Sequence, residues 1–245
     1  MSTSLRRRGN QLPYDLLAGV VSCPGGWLVC PGKLVGVNLF ADAAYKVGSL
    51  RDVLDSVPQY AVIALAAPVG LPDRATHGGR ACDREARRLL GWPRAGGVRS
   101  APCRDVLHAS HGMKARAGND ARMDAVTTML LPRIREVADE IQSYWQRTVF
   151  EAHPELSFYQ LNDDRPLASS KRSTEGVAER RSLLVRRLPG VESALDANVA
   201  GVAPWHLLDA AAVLWTARRI AARAVVRLPE APEWNKDGLR MEILR

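Results

Sequence analysis

Long apolar runs are missing from this 245-residue chain: no stretch approaches the ~20 residues that a membrane-spanning helix needs. Paired cysteines are missing too. Cys23, Cys30, Cys82 and Cys103 show no CxxC spacing, so they do not read as a zinc site and fit free thiols in a reducing cytoplasm. Aromatic residues make up only 6%, which argues against an extensive base-stacking surface. Acids are in short supply: 26 Asp and Glu face 34 Lys and Arg, mostly arginine, for a net charge of +8. A basic excess of this kind favours polyanionic partners such as DNA or RNA. The opening "MSTSLRRRGNQLPYD" has basic residues without an apolar core behind them, so it is not read as a secretory signal. Residues 1–15 are expected to be a basic, flexible tail and residues 16–245 a single domain.

What is present is an alternation of strand and helix signals. "LLAGVVSC" and "WLVC" are apolar runs joined by "PGG", the pattern of a tight strand–turn–strand. "KLVGVNLF" reads as the next strand, with Pro31 to Lys33 as the turn before it. "SLRDVLDSV" has helical spacing with Ser49 as N-cap, and "YAVIALAAPVGLP" reads as a strand buried on both faces. The order begins a mixed α/β sheet. Residues 74–146 read as a largely helical insertion containing "GRACDREARRLLG" and a long helical stretch that Pro132 should kink or divide. "RTVFEAHPELSF" reads as a strand and turn. "STEGVAERRSLLVRRL" reads as a capped basic helix and "HLLDAAAVLWTARRIAARAV" as an amphipathic one.

Taken in order, "GVVSCPGGWLV", "VIALAAPVGLPD", "RACDREARRLLG", "APCR", "PRIREVADEI", "EAHPELSFYQLN", "SKRSTEGVAERRSLL", "LLDAAAVLWTA" and "DGLRMEI" cover nearly the whole chain after the tail. This ordered set resembles the domain-of-unknown-function family 429, predicted nucleases of ribonuclease H-like fold. The resemblance implies a five-stranded mixed sheet, its first three strands antiparallel, flanked by helices. It also implies acids on the first strand, the fourth strand and the C-terminal helix that hold Mg²⁺ or Mn²⁺. Two such cations about 4 Å apart activate water and stabilise the leaving oxygen of a phosphodiester.

The chain departs from that pattern where the chemistry lies. The aspartate place of the first strand holds Val21, and that of the fourth falls at Leu65 or Ala66, with Ala66 the better match. Trp205 and His206 stand where an Asp pair precedes the last helix. Glu151, His153 and Asp209 remain as candidate catalytic residues, with Glu151 and Asp209 as the candidate metal ligands. Their bland alternative is a hydrogen-bonded polar cluster at a sheet edge. His108 and His111 share a spacing but lack a supporting carboxylate or cysteine, and Cys23 lacks a base for nucleophilic chemistry.

Three readings follow. The first is a ribonuclease H-like protein with a degraded metal site that binds nucleic acid with weak or no cleavage. The second is an active phosphodiesterase using Glu151 and Asp209, and the third a protein-interaction subunit or homo-oligomer. For the first, Arg84, Arg87, Arg88, Lys171, Arg172, Arg180 and Arg181 are the candidate phosphate contacts. No membrane partner is expected.

Overall fold

Residue parity on the first strand sets the two layers. The structure is a computed structural model that describes residues 13–108 and 125–245. In chain order the elements are β1 (Asp15–Cys23), β2 (Gly26–Val35), β3 (Asn38–Ala41), β4 (Tyr45–Val47), α1 (Leu50–Leu54), β5 (Val62–Ala66), α2 (Ala81–Leu90) and α3 (Arg104–His108). They continue with α4 (Ala125–Glu140), β6 (Val149–Glu151), α5 (Pro154–Leu161), α6 (Thr174–Arg187), α7 (Glu192–Leu195), α8 (Pro204–Ala221), β7 (Arg227–Trp234) and β8 (Arg240–Leu244). The main sheet runs β3-β2-β1-β5-β6, with β4 also paired to β2; β1, β2 and β3 are antiparallel, while β1, β5 and β6 are parallel. This is a mixed α/β fold with six strands in the sheet rather than the expected five, because β4 prolongs the β3 edge along β2. β7 and β8 form a separate hairpin, joined to the end of β6 by a bridge between Ala152 and Leu244.

Side chains alternate across a strand. Leu17 and Val21 of β1 join a core with α8, and a Cβ built on Gly19 would collide with the α8 backbone. Ala18 and Val20 face the other way, into a core with α1 and α4. The expected Ser49 cap is present: its side chain accepts from the Asp52 N–H while Asp52 returns to the Ser49 N–H, a reciprocal capping box.

Four expectations are corrected. Pro31 to Lys33 do not turn; they lie within β2, paired with Ala18 to Leu16, and the turn comes at Gly36, whose φ of +60° suits a tight reversal. Pro132 does not divide its helix, which runs unbroken from Ala125 to Glu140. His153 N-caps a helix that starts at Pro154, where a turn alone was expected; proline at the first helical position loses no intrahelical bond. The last long helix is not amphipathic in its middle: every residue from Leu207 to Ala217 is buried, since α5, α6 and α7 cover the side that the sheet leaves open.

Candidate functional site

The parallel strands β1, β5 and β6 end on one edge of the sheet, and register decides which of their side chains meet. Val21 pairs with Ala66, so these two sit side by side on the α8 face. Leu65 pairs with Glu151, which puts Glu151 on the opposite face. The two positions expected to replace acids are thus neighbours, and both are apolar. Glu151 of β6 points away from them.

Glu151 is buried and held by an arginine from the start of α2. Arg80 Nη1 and Nη2 donate to its two carboxylate oxygens at 2.7 and 2.5 Å, and the Val69 N–H adds a third bond at 2.8 Å. The same guanidinium donates through Nε and Nη2 to Asp83, and Nη1 also reaches the Gly70 carbonyl. Asp83 accepts further bonds from the N–H groups of Arg80 and Ala101. Arg80 and Asp83 side chains are each 1% exposed. Burial pushes the Glu151 carboxyl up, with the Arg80 charge pulling against it; for Asp83 the Arg80 charge and hydrogen bonds overcome burial and hold it low. A planar fork that serves two carboxylates at once is a task for arginine and not lysine.

The other two acids of the region also have dedicated cations. Lys171 Nζ contacts Asp209 Oδ2 at 2.5 Å, and buried Arg180 makes a forked contact to Glu155 at 2.9 and 3.0 Å. Asp209 Oδ1 is buried without a hydrogen-bond partner among the described residues. His153 accepts the Glu155 N–H at Nδ1, capping α5, and His206 accepts the Ala203 N–H at the start of α8. Burial lowers both imidazoles, His153 despite the nearby carboxylates of Glu155 and Asp209. These donors do not fit a two-metal centre. One carboxylate is consumed by Arg80, another offers a single oxygen beside an ammonium, and the two strand positions carry no oxygen at all. Divalent magnesium demands near-octahedral oxygen ligation. Among the described residues no group of three or more His, Cys, Asp or Glu is placed to hold a metal.

The candidate phosphate-binding residues divide. Arg180 is fully buried and faces inward, so it offers nothing to a surface ligand. Arg84 and Arg87 donate to the Gly79 and Gly78 carbonyls and brace the loop before α2, while Arg181 pairs with Asp196. Arg88 is exposed, and exposed Arg172 lies over the Trp205 ring at 5.9 Å. The four cysteines are buried and unpaired, with Cys23, Cys30 and Cys82 all raised above the usual thiol range by burial. His111 and the side chain of His108 lie outside the described residues.

The two imidazoles make a pH prediction. Both take up a proton near pH 6.5 in the unfolded chain but resist it when folded. The unfolded state therefore binds more protons as pH falls below about 6.5, and stability drops with it. His153 contributes a slope of at most about 1.4 kcal/mol per pH unit. Urea melts between pH 7.5 and 5 check this, and His153→Gln, which keeps a capping oxygen, flattens the dependence. An unchanged slope in that variant assigns the effect elsewhere.

Arg80 and Asp83 are the residues that sequence reasoning passed over. Their signal was there: "RACD" places Arg and Asp three apart at a helix start, where a carboxylate can return to the N-cap N–H. That the pair would also capture Glu151, 71 residues away, is a property of the fold.

The parallel strands of this mixed α/β protein place Val21 beside Ala66, and the described carboxylates near them, Glu151, Asp209 and Glu155, are each held by a cation of the chain itself. A family profile described as protein of unknown function (DUF429) matches residues 15–234, and the chain belongs to that family. No curated protein and no solved structure matches it.

Proposed function

We propose that this chain is a ribonuclease H-like member of its family that binds nucleic acid and does not hydrolyse it by a two-metal mechanism. The strand order β3-β2-β1-β5-β6, antiparallel through the first three and parallel thereafter, supports the fold reading. The observation that carries the functional reading is the pairing of Val21 with Ala66, together with the capture of Glu151 by Arg80. Among the described residues at this edge, Glu151 and Asp209 are already paired with cations and Val21 and Ala66 carry no acid. The net charge of +8 and the exposed Arg88 and Arg172 support a polyanionic partner. Four unpaired thiols suit a reducing cytoplasm.

The test is incubation of purified protein with single- and double-stranded DNA and RNA in Mg²⁺ or Mn²⁺. Expected is no cleavage above that of the Asp209→Asn variant, with binding at low salt that weakens steeply as salt rises. Robust metal-dependent cleavage, lost in Asp209→Asn, overturns the loss of catalysis. No binding at low salt overturns the nucleic-acid part.

A further inference from the structure

An open groove on the surface is lined by three segments: the loop at residues 72–76, the start of α2 and the β7–β8 hairpin. The segments bring different chemistry to it. The hairpin supplies an aromatic ring and a carboxylate, Trp234 and Glu233, both exposed. The loop and the helix supply cations, Arg74 and Arg84, which are also exposed.

Trp234 is 61% exposed, although tryptophan is highly buried on average. Arg240 lies over its ring at 5.9 Å and is itself held by Glu242 and the Gln146 carbonyl. A fixed cation thus braces the indole while most of the residue stays open to a second flat partner. Arg74 has no hydrogen-bond or ion-pair partner among the described residues. Arg84 spends Nη1 on the Gly79 carbonyl, a neutral acceptor that leaves its charge uncompensated. Arg80 also lines the groove but offers nothing, because Glu151 and Asp83 already neutralise it. Asp73 accepts the Lys236 N–H and has the Lys236 ammonium 3.9 Å away, so the open carboxylate of the lining is that of Glu233.

This polarity selects the ligand. A plain polyanion is repelled by the Glu233 side and a plain cation by the Arg74 and Arg84 side. A nucleotide unit suits both. Its base stacks on an aromatic ring, an amino group on the base edge donates to a carboxylate, and its phosphate goes to arginine. We infer that this groove is the contact site for a single strand of nucleic acid, with an unpaired base on Trp234 and its flanking phosphates on Arg74 and Arg84. The inference rests on the reading of the chain as a nucleic-acid binder, and gives that reading a place on the surface and a strand state. A duplex does not fit, since bases inside it are stacked on both faces and offer none to an indole. Along α2 the positive track continues: Arg88, exposed and without a partner among the described residues, stands one turn beyond Arg84, a rise of about 6 Å.

Fluorescence anisotropy of the full chain with short labelled single strands and with the matching duplex, at low salt, tests it. Single strands are expected to bind about tenfold or more tightly than the duplex. Trp234→Ala lowers single-strand affinity about tenfold, the loss of one stacked base, and Trp234→Phe, which keeps a ring, restores most of it. Arg74→Gln lowers affinity and reduces the slope of log K against log salt by about 0.7, one phosphate contact on a single strand. Both positions are exposed, so these variants melt with the parent. Trp92→Ala is the control: its ring is 91% exposed but lies past the other end of α2, and its loss leaves affinity unchanged. Affinity that survives both Trp234→Ala and Arg74→Gln overturns the groove and leaves the nucleic-acid reading standing, and so does an equal loss in Trp92→Ala. Duplex binding as tight as single-strand binding overturns the unpaired base. If no strand binds at low salt, the groove and the nucleic-acid reading fall together.

Discussion

Replacing Arg80 with methionine is expected to cost about 3–5 kcal/mol of folding stability, the penalty for leaving buried charges unpaired. Arg80 is the sole guanidinium between two buried carboxylates among the described residues, and its side chain is 1% exposed. Methionine fills similar volume, so little of the loss comes from a cavity. The loss comes from Glu151 and Asp83, which are left buried with the N–H bonds from Val69, Arg80 and Ala101 and the weak Cys82 thiol contact to Asp83. With total stabilities of about 5–15 kcal/mol, roughly a fifth or more is at stake. For a chain of this size each kcal/mol moves the melting temperature by roughly 2–4 °C. The variant also carries a pH signature. Without the guanidinium both carboxyls favour their neutral forms in the folded state, with pKa values above those of the unfolded chain. Protonation then favours folding, so the deficit is smaller near pH 5 than at pH 8. Arg80→Lys does not rescue, because three donors on one nitrogen cannot bridge two carboxylates as the planar fork does. Urea melts at the two pH values decide the matter. A variant within about 0.5 kcal/mol of the parent at pH 8, the range of ordinary surface changes, refutes the clamp.

The clamp also shows where sequence reading stopped. Local signals were legible: the Ser49 cap, the helix at "ACDREARRLL" and the buried strand "VIALA" all follow from spacing and propensity over a few residues. What failed depends on distant neighbours. Pro31 to Lys33 has turn composition, yet pairing on both sides with β1 and β3 keeps it extended. The last long helix shows spaced polar residues at its ends, yet three helices cover what the sheet leaves open. At the candidate site, Val21 and Ala66 were singled out by resemblance, and the strand register makes them adjacent. The direction of Glu151 was not legible. It follows from its pairing with Leu65, one residue out of step with Ala66, and a shift of one residue reverses the face. Likewise seven basic residues read alike in sequence, although Arg180 is a buried partner of Glu155 and Arg88 is in solvent. Composition measures charge, and only packing decides which charges remain available to a ligand.

Gly19 is where sheet and helix touch most closely, and its replacement by alanine carries the second large effect. The backbone at Gly19 is not in the left-handed region, so conformational freedom is not the reason for glycine there. The reason is space. A Cβ at this position would lie 2.1 Å from the Ala210 carbonyl oxygen, 2.4 Å from the Leu214 nitrogen and 2.8 Å from the Leu214 Cα. All three are backbone atoms of α8, so no rotamer change relieves them, and the helix must move off β1 as a body. That helix carries eleven consecutive buried residues from Leu207 to Ala217, and displacing it opens contacts along its length with the sheet and with α5, α6 and α7. Overpacking usually costs about 1–3 kcal/mol; with backbone on both sides of the clash, about 3 kcal/mol or more is expected. Gly96→Ala is the matched control, because nothing lies within 4 Å of its Cβ and its φ is not positive. It should stay within about 0.5 kcal/mol of the parent. The consequence reaches the candidate site, since Val21 follows Gly19 on the same face and Asp209 precedes Ala210 on the helix. In Gly19→Ala the Lys171–Asp209 contact loses its fixed partner, so Lys171→Met should add less destabilisation there than in the parent. Thermal and urea melts of the two single variants and the double complete that cycle. If Gly19→Ala melts with the parent, the close approach of α8 to β1 is wrong.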